Sequence, residues 1–470
     1  MAWHDSFDRL KRRPHILVVC PQAVATAWGK VVAGAQAGLF AAWVHQTQAA
    51  QWYAERHAGM FSMDMGTGKT LAALMALDAM RHPLHFVDLC RGTGKQRAAR
   101  LQAALSTASG KCLVVVVNYE SVWRSALAPT IESVKWAAIV LDESHRIKAP
   151  GGQASRYLAR LAAKQPHAKR LCLTGTPMPH SPLDLYGQFR FIDPQVFGTS
   201  YTRMRARYAE CDVRFPSKVK FWRNQDELAS RLDAHSFRVT ADEVLDLPEA
   251  IHETIPVELS PKVMRFYRTL ESEMTAELEA GTVTAANALT KLLRMQQGTG
   301  GYARIDGTAA AVPIDGTPAK RMALQDRLED LPATEPVVVF CRFRTDLEDV
   351  AAVARELGRE YAEVSGERKD LERWQHGDAT ILGVQIQSGG VGIDCSRACY
   401  AFYYSLTFSL GDYEQSLARL RRPGQTRCVR YYHLVCEGTV DAQVYAALRE
   451  RRNVVEAVLR QLTPRGEPVA

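Results

Sequence analysis

The 470-residue sequence contains no apolar run long enough to cross a bilayer. Its longest runs, such as "CLVVVV" at 112–117, are far shorter than the roughly 20 residues that a membrane-spanning helix requires. The first fifteen residues, "MAWHDSFDRLKRRPH", are charged and lack the apolar core of a signal peptide. We therefore expect a cytoplasmic protein with no membrane partner.

The ten cysteines include no Cys-x-x-Cys pair. Cys395 and Cys399 are the closest two, and no nearby histidine is placed to complete a zinc site. We interpret the cysteines as reduced, mostly buried thiols. Short repeats, low-complexity tracts and a nuclease motif are also lacking.

What the sequence does have is an ordinary globular composition, with 47% hydrophobic and 23% charged residues. Its length is sufficient for two or three domains with hydrophobic cores. The formal net charge of +8 is compatible with a polyanionic partner but does not require one.

The first half alternates short apolar runs with helical patterns. "HILVVC", "CLVVVV", "WAAIVLD" and "RLCLTG" are each typical of a strand buried on both faces, and together they predict a parallel sheet covered by helices. Residues ~196–245 are more polar, basic and aromatic, and we interpret them as a helical, basic protrusion. We assign residues 1–245 to the N-terminal domain.

A second alternation of strands and helices follows in "EPVVVFCRF", "ATILGVQI", "ACYAFYYS" and "CVRYYHLV". It is preceded by helical patterns over about 260–297 and by "GTGGYARIDGTAAAVPIDGTP", which carries the densest turn and linker signals of the chain. "TVDAQVYAALRERRNVVEAVLRQL" predicts a further amphipathic helix. We assign residues 246–470 to a second domain, so the predicted fold class is α/β with two parallel-sheet domains and helical insertions.

The stretch "SMDMGTGKT", residues 62–70, lies where a predicted strand meets a predicted helix. Its glycines let backbone amides approach phosphate oxygens, and the helix N-terminus adds positive potential. Lys69 would neutralise the β- and γ-phosphates of ATP, and the Thr70 hydroxyl would ligate Mg²⁺. Met63 stands where the full pattern has glycine. The predicted ATP-binding loop comprises Gly66, Thr67, Gly68, Lys69 and Thr70.

A second glycine-lysine stretch, "RGTGKQ" at 91–96, lacks a hydroxyl residue after its lysine. It follows no convincing buried strand, and we interpret it as a basic turn.

The segment "KWAAIVLDESH", 135–145, delivers Asp142 and Glu143 to the carboxyl end of a buried strand. Asp142 can hold Mg²⁺ through water, and Glu143 can orient and deprotonate an attacking water. An acidic helix N-cap running from Asp142 to His145 is the alternative.

Two further strands end in residues suited to sensing phosphate. "LCLTGTP" brings the hydroxyls of Thr174 and Thr176 to a strand end, where they could respond to the γ-phosphate. "VQIQSGGVGID", which contains Gly392 and Asp394, runs into a glycine-rich loop. This loop could contact phosphate of ATP or of a nucleic acid, or could form a tight turn.

The segment "YEQSLARLRRPGQT", 413–426, places Gln415, Arg419 and Arg422 on successive turns and one face of a predicted helix. An arginine supplied across a cleft can accelerate phosphoryl transfer by about 10³–10⁵. The alternative is an ordinary solvated basic surface.

Taken in order, "DMGTGKT", "LDESH", "LTGTP", "VVVFCRF", "SGGVGID" and "QSLARLRRPGQ" resemble the motifs of superfamily 2 helicase-like ATPases. The Asp-Glu-Ser-His box and the Arg-x-x-Arg-x-Gly-Gln ending resemble the Swi/Snf-type DNA translocases among these DEAD/DEAH-box-like proteins. Residues 246–267 resemble the segment that opens the second lobe of that branch. The likeness covers roughly residues 43–460, and the compact form is similar to that of phage and prophage proteins.

The resemblance implies two RecA-like lobes, with ATP and Mg²⁺ in the cleft between them and DNA across both. It implies that Gln46 reads adenine, although Gln48 or Gln51 could be the matching residue. It also implies that Arg419 and Arg422 act as arginine fingers. The residues implied or interpreted as coupling residues are Thr174, Thr176, Gly392, Asp394 and Gln415.

The function that the resemblance implies is ATP-dependent translocation along duplex DNA, without sequence preference, in the cytoplasm of a bacterium or of a phage-infected host cell. The alternatives are a strand-separating helicase acting on DNA or RNA, and a nucleotide-gated binding module with little turnover.

One departure from the family concerns strand order. "HILVVCPQAVATAW" lies at 15–28, before the phosphate loop, whereas the family has a similar "LVVCP...W" strand after the loop helix. Either this strand enters the same position of the sheet from the N-terminus, or "LHFVDLC" fills that position and one DNA contact is lost. A rearranged, impaired protein is the third possibility. His180 also stands where the family often has asparagine.

A basic and aromatic stretch could line DNA or could form a solvated edge around a small aromatic core. Its residues are Arg214, Phe215, Lys218, Lys220, Phe221, Trp222 and Arg223.

Overall fold

The structure is a computed structural model. It describes residues 15–108, 110–124, 126–211, 219–279, 285–304, 311–389 and 393–450. The chain divides into two compact units, Met1–Leu245 and Asp246–Ala470. In the described ranges, no helix has the length and apolar character needed to span a membrane.

Among the described residues, the strands of the N-terminal unit are β1 (Ile16–Cys20), β2 (Ala58–Met63), β3 (Leu84–Asp88), β4 (Cys112–Asn118), β5 (Ala138–Asp142), β6 (Lys169–Thr174), β7 (Ala209–Cys211), β8 (Val219–Trp222) and β9 (Ser236–Val239). Seven of them form a parallel sheet in the order β3-β4-β1-β5-β6-β2-β9. The other two, β7 and β8, form an antiparallel pair.

Helices cover both faces of this sheet, because the side chains of its central strands are buried on both sides. Two separate hydrophobic clusters, one on each face, contain alternate residues of the same strands, for example Leu17 in one and Val18 in the other. The described helices of the unit are α1 (Ala25–Gln36), α2 (Val44–Ala54), α3 (Lys69–Ala76), α4 (Gly94–Thr107), α5 (Ala128–Ser133), α6 (Gln153–Lys164), α7 (Leu185–Ile192), α8 (Pro194–Phe197), α9 (Tyr201–Tyr208), α10 (Gln225–Ala234) and α11 (Ala241–Val244).

The N-terminal strand β1 occupies an interior position of the sheet. Val18 pairs with Val116 of β4 on one side and with Val140 of β5 on the other. β3, which contains "LHFVD", lies at the edge and pairs with β4. The five residues of β1 are all buried, whereas His85 and Phe86 of β3 are partly exposed, so burial favours β1 in the interior. The strand beside the acidic box therefore comes from the N-terminus of the chain.

The described residues of 196–245, which leave out 212–218, pack into the N-terminal unit and do not form the separate helical protrusion that we predicted. β9 adds to the main sheet beside β2, with Phe61 paired to Phe237, and α10 packs its buried leucines into the core. The hydrophobic residues of β9 are compatible with an edge strand, a pattern that the polar and basic composition of the surrounding segment conceals.

The C-terminal unit is built on a second parallel sheet, of six strands in the order β10-β17-β16-β13-β15-β14. A small antiparallel pair, β11 and β12, lies within the stretch that we interpreted as turns and linker. In the described part of this unit the strands are β10 (Ala250–Val257), β11 (Tyr302–Arg304), β12 (Ala311–Pro313), β13 (Val337–Cys341), β14 (Tyr361–Val364), β15 (Ile381–Gln385), β16 (Tyr400–Tyr403) and β17 (Val429–Cys436).

The helices of the C-terminal unit again bury both faces of its sheet. The predicted helical stretch at about 260–297 contains two helices, α12 and α13, and the predicted amphipathic helix near the end of the sequence begins at Val440. The described helices are α12 (Pro261–Glu279), α13 (Ala285–Thr299), α14 (Ala319–Glu329), α15 (Arg344–Glu356), α16 (Leu371–His376), α17 (Ile386–Gly389), α18 (Leu410–Leu417) and α19 (Val440–Arg449). Together with the first unit, this confirms the predicted α/β fold with two parallel-sheet lobes.

A buried carboxylate in α15 makes the stability of this unit depend on pH. Asp349 Oδ1 accepts a hydrogen bond from the Tyr302 hydroxyl (2.9 Å), and Oδ2 accepts one from the Tyr404 hydroxyl (2.8 Å). Burial raises the pKa of Asp349 to about 6, because desolvation penalises the charged form. The folded unit therefore holds this proton more tightly than the unfolded chain does. The resulting stabilisation is complete below the ordinary aspartate pKa and is lost as pH rises through about 6.

We predict that Asp349→Asn stabilises the C-terminal unit at pH 8, by at most about 3 kcal/mol, and that this gain disappears toward pH 4. The amide keeps the shape, its oxygen can accept from one tyrosine, and its NH₂ can donate to the other. Urea unfolding of the full chain between pH 4 and pH 8 measures the effect. The exposed Asp330→Asn is the control, because it removes one charge without changing burial. Parallel pH profiles for the wild type and the Asp349→Asn variant would contradict the prediction.

Candidate nucleotide site

The strand order of the N-terminal unit brings three predicted motifs to one edge of the sheet. β6 lies between β5 and β2, so Leu173 pairs with Asp142 and Thr174 pairs with Ser62. Because all three strands are parallel, their carboxyl ends point the same way. The loop that follows β2, the acidic box that follows β5 and the hydroxyls that follow β6 therefore lie side by side.

The loop after β2 has the backbone that a phosphate cradle needs. Gly66 and Gly68 have φ angles of +82° and +76°, which glycine adopts without strain. α3 begins at Lys69, directly after Gly68, so its first free amides lie at the end of the loop. Thr67 stabilises the turn by donating its hydroxyl to Asp64 O (2.6 Å).

Lys69 folds back over this loop. Its Nζ donates to the carbonyl oxygens of Met63 (2.8 Å) and Asp64 (3.2 Å). Both partners are neutral, and a phosphate oxygen is a stronger acceptor for an ammonium group. Met63 contributes its carbonyl to this contact while its side chain lies in the core, so glycine is not needed at this position.

Gln46, which we predicted to recognise adenine, hydrogen-bonds to the phosphate loop. Its Oε1 accepts from Trp43 N–H (2.9 Å), and its Nε2 donates to the carbonyls of Thr67 and Gly68 (3.3 Å each). His45 Nε2 also contacts Thr67 O, at 2.8 Å. Gln48 and Gln51 are exposed, so of the three candidates it is Gln46 that contacts the loop. In this structure both ends of its amide bond to the protein itself.

Asp142 lies at the end of β5 and is almost fully buried. Its Oδ2 accepts from the Trp28 indole N–H (2.8 Å), and its Oδ1 accepts from Glu143 N–H (3.0 Å). Burial, followed by the neighbouring Glu143 charge, raises the pKa of Asp142 to about 6, while the Trp28 hydrogen bond and the Lys69 charge act in the opposite direction. Each carboxylate oxygen of Asp142 thus accepts one hydrogen bond and keeps a second lone pair.

Glu143 has a strained backbone. Its φ and ψ are +53° and +51°, a left-handed conformation that costs a residue with a side chain roughly 1–2 kcal/mol. Its side chain makes no capping hydrogen bond, so the acidic N-cap that we considered as an alternative does not form. Within the described residues, Glu143 Oε2 is buried and accepts no hydrogen bond. Strain and an unsatisfied buried oxygen together are typical of a functional carboxylate.

His145 lies between Glu143 and the hydroxyl strand. Its Nδ1 is 3.5 Å from Glu143 Oε2 and 3.2 Å from Thr174 Oγ1. Burial, assisted by the Lys148 and Arg146 charges, lowers the pKa of His145 to about 3. The ring is therefore neutral at physiological pH and can link the carboxylate and the hydroxyl without adding charge.

The two predicted sensor threonines differ in their surroundings. Thr174 is fully buried, and its Oγ1 accepts from Thr176 N–H (3.1 Å). Thr176 Oγ1 is buried and has no hydrogen-bond partner among the residues described. His180, where the family often has asparagine, is exposed and donates its main-chain N–H to Asp184 (2.8 Å).

Sequence reasoning missed two side chains that hold the acidic box. Trp28 lies 114 residues before Asp142 in the sequence. The only sequence feature that pointed to Trp28 was the "LVVCP...W" pattern. Gln188 of α7 accepts from the Ser144 hydroxyl (2.7 Å) and donates to Pro177 O (2.7 Å), so it joins the box to the segment after the hydroxyl strand. Its signal is a glutamine between apolar residues of the helix "LYGQFRFI".

The predicted basic helix of the C-terminal unit ends earlier than we expected. α18 stops at Leu417, and Arg419 and Arg422 lie in the turns that follow, so they do not share a helix face with Gln415. The turns are closed by short-range bonds such as Arg419 N–H to Ser416 O (3.2 Å). Pro423 and a left-handed Gly424 (φ +99°) lie just ahead and disfavour a continuous helix.

Arg422 and Asp394 come together in this unit. Arg422 Nη1 is 3.5 Å from Asp394 Oδ2, and both side chains are partly exposed. Asp394 Oδ1 also accepts from the main chain and the hydroxyl of Ser396 (2.9 and 2.7 Å). Gln415 is buried in α18, and the predicted coupling residue Gly392 lies outside the described residues.

The basic and aromatic stretch at 214–223 falls partly outside the described residues, which resume at Val219. Lys220 and Phe221 are exposed, whereas Trp222 packs against the main core. Arg223 pairs with Glu210 across the hairpin. At least Trp222 therefore has a structural role.

These residues fit ATP and Mg²⁺. The loop has the left-handed glycines that close backbone approach to an anion requires, and Lys69 is held by neutral acceptors alone among its described contacts. Thr70 and Asp142 would supply the hard oxygen ligands that Mg²⁺ prefers, and two buried oxygens, on Glu143 and Thr176, have no hydrogen-bond partner among the described residues.

Comparison with known proteins finds one family model and several relatives. Residues 87–299 match the family model described as the SNF2-related domain. The chain is 28% identical over 386 residues to the putative protein p41 of Acyrthosiphon pisum secondary endosymbiont phage 1, covering 78% of this chain and 79% of that one.

Two longer relatives match with a smaller share of their own length. The DNA annealing helicase and endonuclease ZRANB3 of Mus musculus is 25% identical, over 74% of this chain and 32% of its own. An uncharacterized ATP-dependent helicase of Mycoplasma pneumoniae is 23% identical, over 68% of this chain and 30% of its own. A solved structure, the Sulfolobus solfataricus SWI2/SNF2 ATPase core in complex with dsDNA, aligns with a TM-score of 0.37 and 19% identity, over 89% of this chain and 93% of that one.

We predict that Gly68→Ala lowers the affinity for Mg²⁺-ATP by about tenfold or more, the equivalent of one or two hydrogen bonds. The new Cβ would lie 2.1 Å from Gln46 Nε2 and would displace the side chain that holds the loop. Gly110→Ala is the matched control, because its φ of +72° imposes similar backbone strain and nothing lies within 4 Å of its Cβ position. Titration with a fluorescent ATP analogue measures both. Equal affinities would exclude a role for the Gln46 contact.

Proposed function

We propose that this chain, of which residues 87–299 match the SNF2-related domain, is a helicase-like, nucleic-acid-dependent ATPase that couples ATP hydrolysis to movement along double-stranded DNA. The observation that carries the proposal is the position of Glu143. Its strained backbone and buried, unsatisfied oxygen lie at the sheet edge where the phosphate loop, Asp142 and the threonines meet.

In this proposal the loop amides and Lys69 bind the phosphates, and Thr70 and Asp142 hold the metal. When bound there, Mg²⁺ would neutralise phosphate charge and make the terminal phosphate more susceptible to attack. Lys69 exchanges its two carbonyl partners for phosphate oxygens. Since that exchange replaces neutral acceptors with charged ones, it favours the bound state.

Glu143 orients the attacking water and takes its proton on a carboxylate oxygen. Neutral His145 lies against both this carboxylate and Thr174, so a change at the threonines alters the position of the base. Ser144 and Gln188 extend the same connection to Pro177. These contacts form a continuous path from the acidic box to the segment that follows β6. Loss of the phosphate can change the conformation of the N-terminal unit along this path.

In this proposal, Arg419 and Arg422 of the C-terminal unit stabilise the negative charge that develops on the phosphate during hydrolysis. Arg422 is held by Asp394 in a partly exposed ion pair, and such pairs are worth only about 0–1 kcal/mol. Moving the guanidinium from that carboxylate to a phosphate therefore costs little. The pair also explains how Asp394 can keep the arginine oriented until ATP binds.

Duplex DNA is the proposed track because the net charge is +8 and one of the reported relatives is named a DNA annealing helicase and endonuclease. Binding through the phosphate backbone would be indifferent to sequence and would weaken steeply with salt.

We predict that duplex DNA stimulates ATP hydrolysis by the full chain and that the stimulation is lost between about 50 and 200 mM salt. Initial rates with duplex DNA, single-stranded DNA, RNA and no nucleic acid test this. Stimulation by single strands or RNA alone would identify the strand-separating alternative, and nucleotide binding without turnover would identify the gated binding module. Glu143→Gln is the background control, since it keeps the side-chain shape and should lower turnover by about 10²–10⁴ while retaining nucleotide binding.

We predict that Arg422→Ala keeps ATP affinity within several-fold and lowers DNA-stimulated turnover by about 10³ or more, because the arginine acts on the charge that develops during reaction. Arg427→Ala is the matched control. Arg427 is a similarly exposed arginine of the same unit, paired with Glu335 at 2.9 Å and outside the motif residues. Undiminished turnover in Arg422→Ala would remove this residue from the mechanism.

A further inference from the structure

We infer that Trp28 is a positioning residue for Asp142, so that the segment before the phosphate loop completes the metal site. The inference rests on the proposed function. Trp28 closes the stretch "HILVVCPQAVATAW", for which the sequence suggested a DNA contact and no part in the metal site.

The contact is a buried hydrogen bond to a carboxylate. Trp28 is fully buried, Asp142 is nearly so, and the indole Nε1–H donates to Oδ2 over 2.8 Å. Hydrogen bonds to a charged acceptor are about twice as strong as neutral ones, and a water-poor surrounding strengthens them further.

The place of β1 in the sheet fixes the indole. β1 lies directly beside β5, so the chain leaves the sheet next to the acidic box and turns into α1, whose fourth residue is Trp28. The next residue, Gly29, faces Phe86 of the edge strand, and a Cβ there would lie 3.1 Å from the ring. α1 therefore packs closely on the sheet and has little freedom to rotate.

The indole also fixes the plane of the carboxylate. Oδ1 is held by Glu143 N–H and Oδ2 by the indole, so a donor holds each oxygen. Without the indole, the carboxylate can rotate about its Cβ–Cγ bond and Oδ2 loses its donor. Such outer partners of a metal ligand typically contribute about 10–100-fold to metal affinity.

The test uses the full chain with Trp28→Phe, which keeps an aromatic ring and removes the N–H. The matched control is Trp136→Phe. Trp136 is equally buried in the same unit, and its indole donates to Ile131 O at 2.9 Å, a contact with no part in the phosphate site. A second variant replaces Trp28 by benzothienylalanine, which keeps the bicyclic shape without the N–H, in case the phenylalanine does not fold.

The readout is binding of a fluorescent, non-hydrolysable ATP analogue as Mg²⁺ is titrated, together with the unfolding temperature. We expect removal of the Trp28 N–H to raise the half-saturating Mg²⁺ concentration by about tenfold or more, with little change in binding without Mg²⁺. Trp136→Phe should lower the unfolding temperature comparably and leave the Mg²⁺ dependence unchanged.

Equal Mg²⁺ dependence in wild type, Trp28→Phe and Trp136→Phe would overturn the inference and leave the proposed function intact. A parallel shift in both variants would overturn it as well, since a general loss of stability would then explain the effect. Failure of the wild-type chain to bind the analogue in an Mg²⁺-dependent way would instead contradict the proposed function.

Discussion

The burial of one carboxylate at the end of a parallel strand is the constraint on which the rest of the N-terminal unit depends. Asp142 is placed where water is largely excluded, and desolvation there raises the pKa of the carboxyl group to about 6. An isolated charge in such a place would be unfavourable, so the fold surrounds it with donors and a nearby cation. Trp28, the main chain of Glu143 and the charge of Lys69 come from three different parts of the sequence. The arrangement of α1, β1 and the phosphate loop follows from that requirement.

Strain and incomplete hydrogen bonding are concentrated at the same edge of the sheet. Glu143 has a left-handed backbone, and oxygens of Glu143 and Thr176 lack described partners, while the sheet beneath them is continuously buried. A well-packed parallel sheet supplies the stability that allows a few residues to remain in unfavourable conformations. A ligand that bonds to these groups stabilises them strongly, because no other group among the described residues already satisfies them. In the C-terminal unit the corresponding candidate, Arg422, is instead held by a weak, exposed pair.

Much of the fold could be predicted from the sequence because its signals are local. Continuous apolar runs such as "CLVVVV" and "VVVFC" are typical of strands buried on both faces of a parallel sheet. The glycines of the loop adopt without strain the left-handed backbone that a phosphate loop needs. Predictions failed where a local pattern was overridden. The helix predicted to carry Arg419 and Arg422 stops at Leu417, ahead of Pro423 and Gly424. The segment at about 196–245, predicted as a protrusion, contributes β9 to the main sheet. In both cases the competing influence, a turn or an open sheet edge, was stronger than residue composition.

The sequence by itself determined which residues could perform the chemistry: a glycine-rich loop with Lys69, paired acids at a strand end, and hydroxyls at another. Each is a short pattern that can be recognised from residues adjacent in the sequence. Only the tertiary structure decided that β1 enters the sheet beside β5, that Trp28 therefore reaches Asp142, and that Gln46 supports the loop with both ends of its amide. The reason is that strand order in a parallel sheet is set by which buried faces fit together, and that choice is made between segments more than one hundred residues apart.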